Sequence, residues 1–261
     1  MGLLKRESPW VKEYRAMWKK EQAFLTYYRE KRSSVLRDRL AGRVPEGLQQ
    51  TLDTAFAKAF SLIFEKGQGA IRVLGREKRR REDYEVNRVL AEARGSRRNL
   101  RAFPRAAGRT GAGNVVLSGV EGVGLGLLGI GIPDVPLFVG TLLKAVYETA
   151  ASFGYTRDTP AERTFQLRVI EAAMSAGQAL EDRNAALNQY IQTGEWPDTR
   201  TVQEQLSATA QQLSDALLYQ KFLQGVPIVG AAGGFSDAVC MRRVQRYAAL
   251  KYHRRFLLEH R

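Results

Sequence analysis

The sequence predicts an all-α fold, a single compact multi-helix domain spanning 1–261, with two Gly-rich apolar stretches acting as helix-hairpin connectors. Three observations predict it. Apolar residues recur at spacings of three, four and seven along most of the chain, convincing period-2 strands are absent, and no fixed-period repeat is present. With 44% hydrophobic and 26% charged residues, the composition is that of a globular chain able to bury a sizeable core.

The N-terminal element, within 1–44, is an amphipathic helix with an aromatic stripe. Ser8 caps it, Pro9 takes a first helical position, and Trp10, Tyr14, Trp18, Leu25, Tyr28 and Val35 follow at helical spacing. Trp10, Trp18, Tyr27 and Tyr28 fit an interfacial belt, although such a stripe is more often core. After Gly42 and Pro45 a second face, Leu48, Leu52, Phe56, Ala59 and Ile63, runs to a stop at Gly67. The third stretch, 70–109, is helical in propensity and strongly basic. A long helix is then predicted from the capping box of Thr159, Pro160 and Glu162 to Gly194, with Phe165, Val169, Ala173, Ala176 and Leu180 on its buried face. Thr201 and Glu204 repeat the box ahead of Val202, Leu206, Leu213 and Leu217, and Ser236 and Asp237 are expected to cap a basic C-terminal helix.

Charge narrows the function classes. With 41 Lys+Arg against 27 Asp+Glu the net charge is +14, which excludes an acidic disordered tail and favours an anionic partner. The lone cysteine, Cys240, excludes an intramolecular disulfide and reads as a buried thiol. The start lacks a secretory signal or a myristoylation pattern, so a cytoplasmic location is expected.

The centre of interest is the Gly-rich apolar segment between Arg109 and Lys144. Gly122–Leu143 carries one charge, Asp134, and is long enough to span a bilayer, but Pro133 and Pro136 fall inside it. A buried core hairpin and a membrane-touching hairpin suit it equally well. Gly124, Gly126 and Gly129 match G-x-G-x-x-G, with Glu148 near the place of a ribose acid, but no βαβ context surrounds them, so no nucleotide cofactor is expected. Lys78, Arg79, Arg80, Arg81, Arg94, Arg97, Arg98, Arg101 and Arg105 lie immediately before the apolar segment, where an anionic membrane surface would attract them. A solvated helix face is the plainer reading of the same run. Nucleic acid would reward such a face too, yet no nucleic-acid motif supports that partner.

Catalytic chemistry is sparsely signalled. Glu121, Asp134 and Glu148 are the acids of the apolar centre and the candidate catalytic residues, although Asp134 fits better as the N-cap of a helix starting near Pro136. His253 and His260 share a helix face seven residues apart, read as surface residues, and lack the partners for a metal site.

The passages Gly129–Phe138, Ala145–Glu148, Phe153–Tyr155, Pro160–Phe165, Val226–Asp237 and Arg254–Leu257 resemble the EcsC protein family, from about Pro45 onward. The matching positions are Asp134, Pro136, Glu148, Gly154, Tyr155, Glu162, Pro227, Gly230 and Gly234. The family takes its name from a bacterial operon that also encodes an ABC transporter. The resemblance therefore implies a helical, membrane-associated protein, peripheral on the inner membrane face, with a membrane transporter as partner and a role accessory to transport or envelope function. It supplies no catalytic residues. The alternatives from other classes are an enzyme acting on a lipid or other apolar substrate through Asp134 and Glu148, and a basic nucleic-acid-binding protein.

Overall fold

A computed structural model describes residues 7–30, 46–65, 84–89, 91–92, 96–108, 134–156, 158–223 and 234–260. These residues are helical with no strand among them, and their buried side chains form one hydrophobic cluster. The helices are α1 (Pro9–Glu30), α2 (Glu46–Glu65), α3 (Arg97–Leu100), α4 (Ala102–Gly108), α5 (Asp134–Ala151), α6 (Pro160–Met174), α7 (Gly177–Thr193), α8 (Val202–Leu223) and α9 (Gly234–Glu259). A further helical turn lies at 84–89. Of the two Gly-rich apolar stretches, 109–133 and 226–233 lie outside the described residues, as do the basic cluster Lys78–Arg81 and Val35, while the end of the first, from Asp134, is the start of α5, with Val135, Phe138, Val139, Leu142 and Leu143 in the core.

Two helices occupy the centre. The C-terminal α9 packs against α1, α4, α5, α6 and α7, while α6 packs against α7, α8 and α9. On the far side, α2 closes against α5 and α8. The sequence explains the outer helices well. Ser8 accepts from the Val11 N–H at 3.3 Å to start α1, and the apolar face of α2, Phe56, Ala59, Phe60 and Phe64, is buried as its spacing requires. Phe56 meets Phe138 of α5 edge-on at 6.2 Å. Cys240 is buried, as expected.

Four features differ from the sequence reading. The long helix between Thr159 and Gly194 is two helices, because Ser175 and Ala176 are extended (ψ 163° and 166°) and Gly177 adopts a left-handed φ of 59°. The Ser175 hydroxyl donates to the Glu171 carbonyl at 2.7 Å, and its own carbonyl accepts from Arg243 instead of continuing the helical ladder. Second, α6 is buried on nearly all sides, including Glu162, Gln166, Arg168 and Glu171, so it has no single apolar face. Third, the N-terminal aromatics divide. Trp10, Tyr14 and Tyr28 pack against the core, whereas Trp18 and Tyr27 are exposed. Fourth, α9 begins at Gly234, which places Ser236 and Asp237 inside its first turn rather than ahead of it.

Candidate functional site

Of the motif positions, Gly154, Tyr155 and Glu162 come together where α5 ends and α6 begins. The chain leaves α5 through Gly154 at φ 91°, beneath the ring of Tyr84; an added Cβ would lie 2.7 Å from the Tyr84 hydroxyl, so this corner requires glycine. Tyr155 then donates its hydroxyl to Glu259 at 2.7 Å. Thr159 caps α6 by accepting from the Glu162 N–H at 3.2 Å, but the Glu162 carboxylate does not close the box. It accepts from the Tyr252 hydroxyl at 2.6 Å and from Arg255 at 2.7 Å. Arg255 also donates to Glu259 at 3.0 Å and lies over the Tyr155 ring at 4.1 Å.

All of these groups but the buried Tyr252 line an open cavity of about 570 Å³. Burial and the nearby Glu259 carboxylate raise the Tyr155 hydroxyl, and burial raises Tyr252. For Arg255 burial works the other way, but the Glu162 carboxylate outweighs it and keeps the guanidinium charged. The carboxylates, the guanidinium and the tyrosine hydroxyls thus answer one another. This arrangement suits a tie between the α5–α6 corner and α9 better than acid–base chemistry, which needs a group free to exchange its proton.

A second cavity, of about 470 Å³, opens on another side of α9. Lys20 of α1, Pro104 and Ala107 of α4, and Arg242, Arg246, Leu250 and His253 of α9 contribute to its lining. No acidic residue is among the described residues that line it. Lys20, Arg242 and Arg246 are exposed, and no ion pair among the described residues holds them. His253 corrects the surface reading. It is 3% exposed, stacks on Phe153 at 5.6 Å, and its Nε2 has no hydrogen-bond partner among the described residues. Burial and the Lys20 charge push its pKa down to about 3, so the ring is neutral at pH 7.

Three further buried clusters went unforeseen, since long-range pairing leaves no local signature. Glu21 of α1 is fully buried and accepts from Lys251 at 2.8 Å, Asn188 at 3.0 Å and Arg254 at 3.0 Å. Burial alone would raise its pKa, but the charges of Lys251 and Arg254 hold it down to about 2. Glu171 accepts from Arg183 and Gln205, at 2.8 and 2.7 Å, and Arg168 pairs with Asp198 beneath Trp196. Glu13, 1% exposed, accepts from both Arg97 and Arg101 at 3.0 and 3.3 Å.

A family model, that of the EcsC protein family, matches residues 11–257 of the chain. The chain belongs to the EcsC protein family. The match reaches back into α1, well before the Pro45 start that the resemblance gave. No curated protein and no solved structure matches the chain.

The remaining EcsC motif residues scatter. α5 begins at Asp134, two residues before Pro136, and Glu148 is buried fourteen residues further along the same helix. At 1.5 Å per residue the two acids are about 21 Å apart along the axis, so the fold does not pair them. Gly234 opens α9, while Glu121, Pro227, Gly230 and Lys78–Arg81 lie outside the described residues. Of the predicted cationic contacts, Arg97 and Arg101 are committed to Glu13, whereas Arg98 and Arg105 are exposed. The sequence could have pointed to Tyr252, Arg255 and Glu259: their spacing of three, four and seven sets them on one face of α9. Among the described residues no cluster of His, Cys, Asp and Glu could hold a metal ion, and no helix is long and apolar enough to cross a membrane.

Proposed function

We propose that this EcsC-family chain docks on an anionic membrane surface from the cytoplasmic side, as a peripheral protein accessory to transport or envelope function. The observation that carries the reading is the convergence of Lys20, Arg242 and Arg246 on one open cavity with no acid among the described residues that line it. Tyr27, seven residues beyond Lys20 and thus on the same face of α1, is 52% exposed, a placement that suits the boundary between headgroups and water. Each cation near an anionic surface contributes about 1 kcal/mol, and the attraction falls within a Debye length.

Sedimentation with vesicles tests this. The chain is expected to pellet with phosphatidylglycerol vesicles at low salt, to stay in solution with phosphatidylcholine, and to leave the anionic vesicles at 1 M salt, where the screening length is about 3 Å. Failure to pellet at low salt would overturn the reading. Steeply salt-dependent retention of unspecific DNA, without retention of vesicles, would favour the nucleic-acid alternative instead.

A further inference from the structure

We propose that the cavity between α1, α4 and α9 is a binding site for the phosphate of one anionic phospholipid headgroup, held by Lys20, Arg242, Arg246 and His253. The inference rests on the membrane-docking reading and gives it a ligand. A diffuse basic surface would need only exposed cations. This site has more: His253, 3% exposed, is one of the residues that line the cavity, and its buried Nε2 has no hydrogen-bond partner among the described residues. Buried polar atoms are ordinarily satisfied, so an orphan nitrogen on a cavity-lining residue points to a group that arrives from outside.

The chemistry of the wall defines that group. The imidazole is neutral at pH 7, so it offers a hydrogen bond from Nε2–H in one tautomer while the charge comes from Lys20, Arg242 and Arg246. Three cations with no acid among the lining residues select an anion. Size and polarity select its carrier. A volume of about 470 Å³ lies in the range of small-molecule sites, larger than a bare phosphate needs, and Pro104, Ala107, Ala249 and Leu250 add apolar groups to the lining. A phosphodiester with a glycerol stem uses both the charged and the apolar lining, whereas inorganic phosphate uses only the charged part.

A soluble probe separates this site from surface docking. Dihexanoyl phosphatidylglycerol, kept below its micelle concentration, would be titrated into the full chain while the His253 ring nitrogens are followed by NMR and the heat by calorimetry. A saturable shift at His253 Nε2 is expected, with affinity about tenfold weaker in Arg246→Ala and in Lys20→Ala and unchanged in Arg98→Ala. These three positions are exposed, so the variants are expected to fold even where His253→Gln does not. Pelleting with anionic vesicles but no His253 shift would overturn the headgroup site and leave surface docking intact. A His253 shift without pelleting would do the reverse. Binding of inorganic phosphate as tight as that of the lipid would overturn the phospholipid assignment.

Discussion

The two cavities beside α9 draw on the same helix only a few residues apart, yet their charges are answered differently. Around Glu162 the chain supplies every partner: Arg255 has Glu162 and Glu259, Tyr252 has Glu162, and Tyr155 has Glu259. Around His253, among the described residues, no acid lines the wall, three cations face solvent, and a buried ring nitrogen is unmatched. The first cavity is closed chemistry, in which each charge stabilises the fold. The second holds like charges together against their mutual repulsion, which a folded chain tolerates when an external anion relieves it. Stability and binding should therefore separate between the two.

The largest effect is expected on the paired side. Glu162→Gln leaves Arg255 short of its main partner beside the buried Tyr252, and breaking such a pair costs about 3 to 5 kcal/mol. Urea denaturation should show that loss while vesicle binding per folded molecule stays unchanged. A variant of wild-type stability would break the comparison.

Acid should act next, from the unpaired side. The His253 pKa is about 3 in the fold against 6.5 unfolded, so below pH 6.5 the unfolded chain takes up a proton that the fold refuses. Stability should then fall by about 1.4 kcal/mol per pH unit as the pH drops from 6.5 toward 3. Glu21 adds to the decline only later. Its carboxyl is held at about 2 against 4.5, so its contribution is complete above pH 4.5 and is lost as the pH falls from there toward 2. His253→Gln should flatten the profile between pH 6.5 and 4.5 and leave the steeper fall below. A slope that persists there in the variant would assign the proton to another group.

A smaller loss is expected at the α5–α6 corner. Gly154→Ala places a methyl group against the Tyr84 ring at φ 91°, a strain of about 1 to 3 kcal/mol. Adding Tyr84→Ala should recover the part due to the clash but not the part due to the backbone angle. Full recovery would mean that the dihedral costs nothing.

How much of this was legible is seen best in the two T-x-x-E sequences. At Thr201 the box forms as the spacing predicts: Thr201 accepts from the Glu204 N–H at 3.2 Å, and the Glu204 carboxylate accepts from the Thr201 N–H at 2.8 Å. At Thr159 the threonine does the same, again at 3.2 Å, but Glu162 turns away to residues ninety and more positions along the chain. A local rule fixes a local bond and yields to a buried long-range partner when the fold brings one. The same limit applies to the buried charges of α1, α6 and α9. Nothing in their local sequence marks Glu21, Glu171, Lys251 and Arg254 for burial, yet each is buried because it finds a countercharge on another helix. The outer helices, whose cores are plainly apolar, were predicted closely, whereas the meeting of Gly154, Tyr155 and Glu162 at one corner was not: the resemblance named the three residues, and the spacing gave Glu162 only a place in a capping box. Nor was the pairing of Arg97 and Arg101 with Glu13 predicted, because nothing near either arginine announces an acid at the other end of the chain.

The smallest change in stability should accompany the largest change in binding. Arg242→Ala with Arg246→Ala removes two exposed cations that face Lys20 and His253, so repulsion around the cavity declines and the melting temperature should hold or rise slightly. At about 1 kcal/mol for each cation, affinity for phosphatidylglycerol vesicles should fall about thirtyfold. Arg97→Ala is the matched control. It removes one charge from the basic stretch 70–109, outside the lining of the cavity, and takes a partner from the buried Glu13, so it should lower stability and cost less in binding than the double variant does. If the control weakened vesicle binding as much as the double variant, net charge alone would hold the protein to the membrane, and the cavity beside His253 would have no special part in docking.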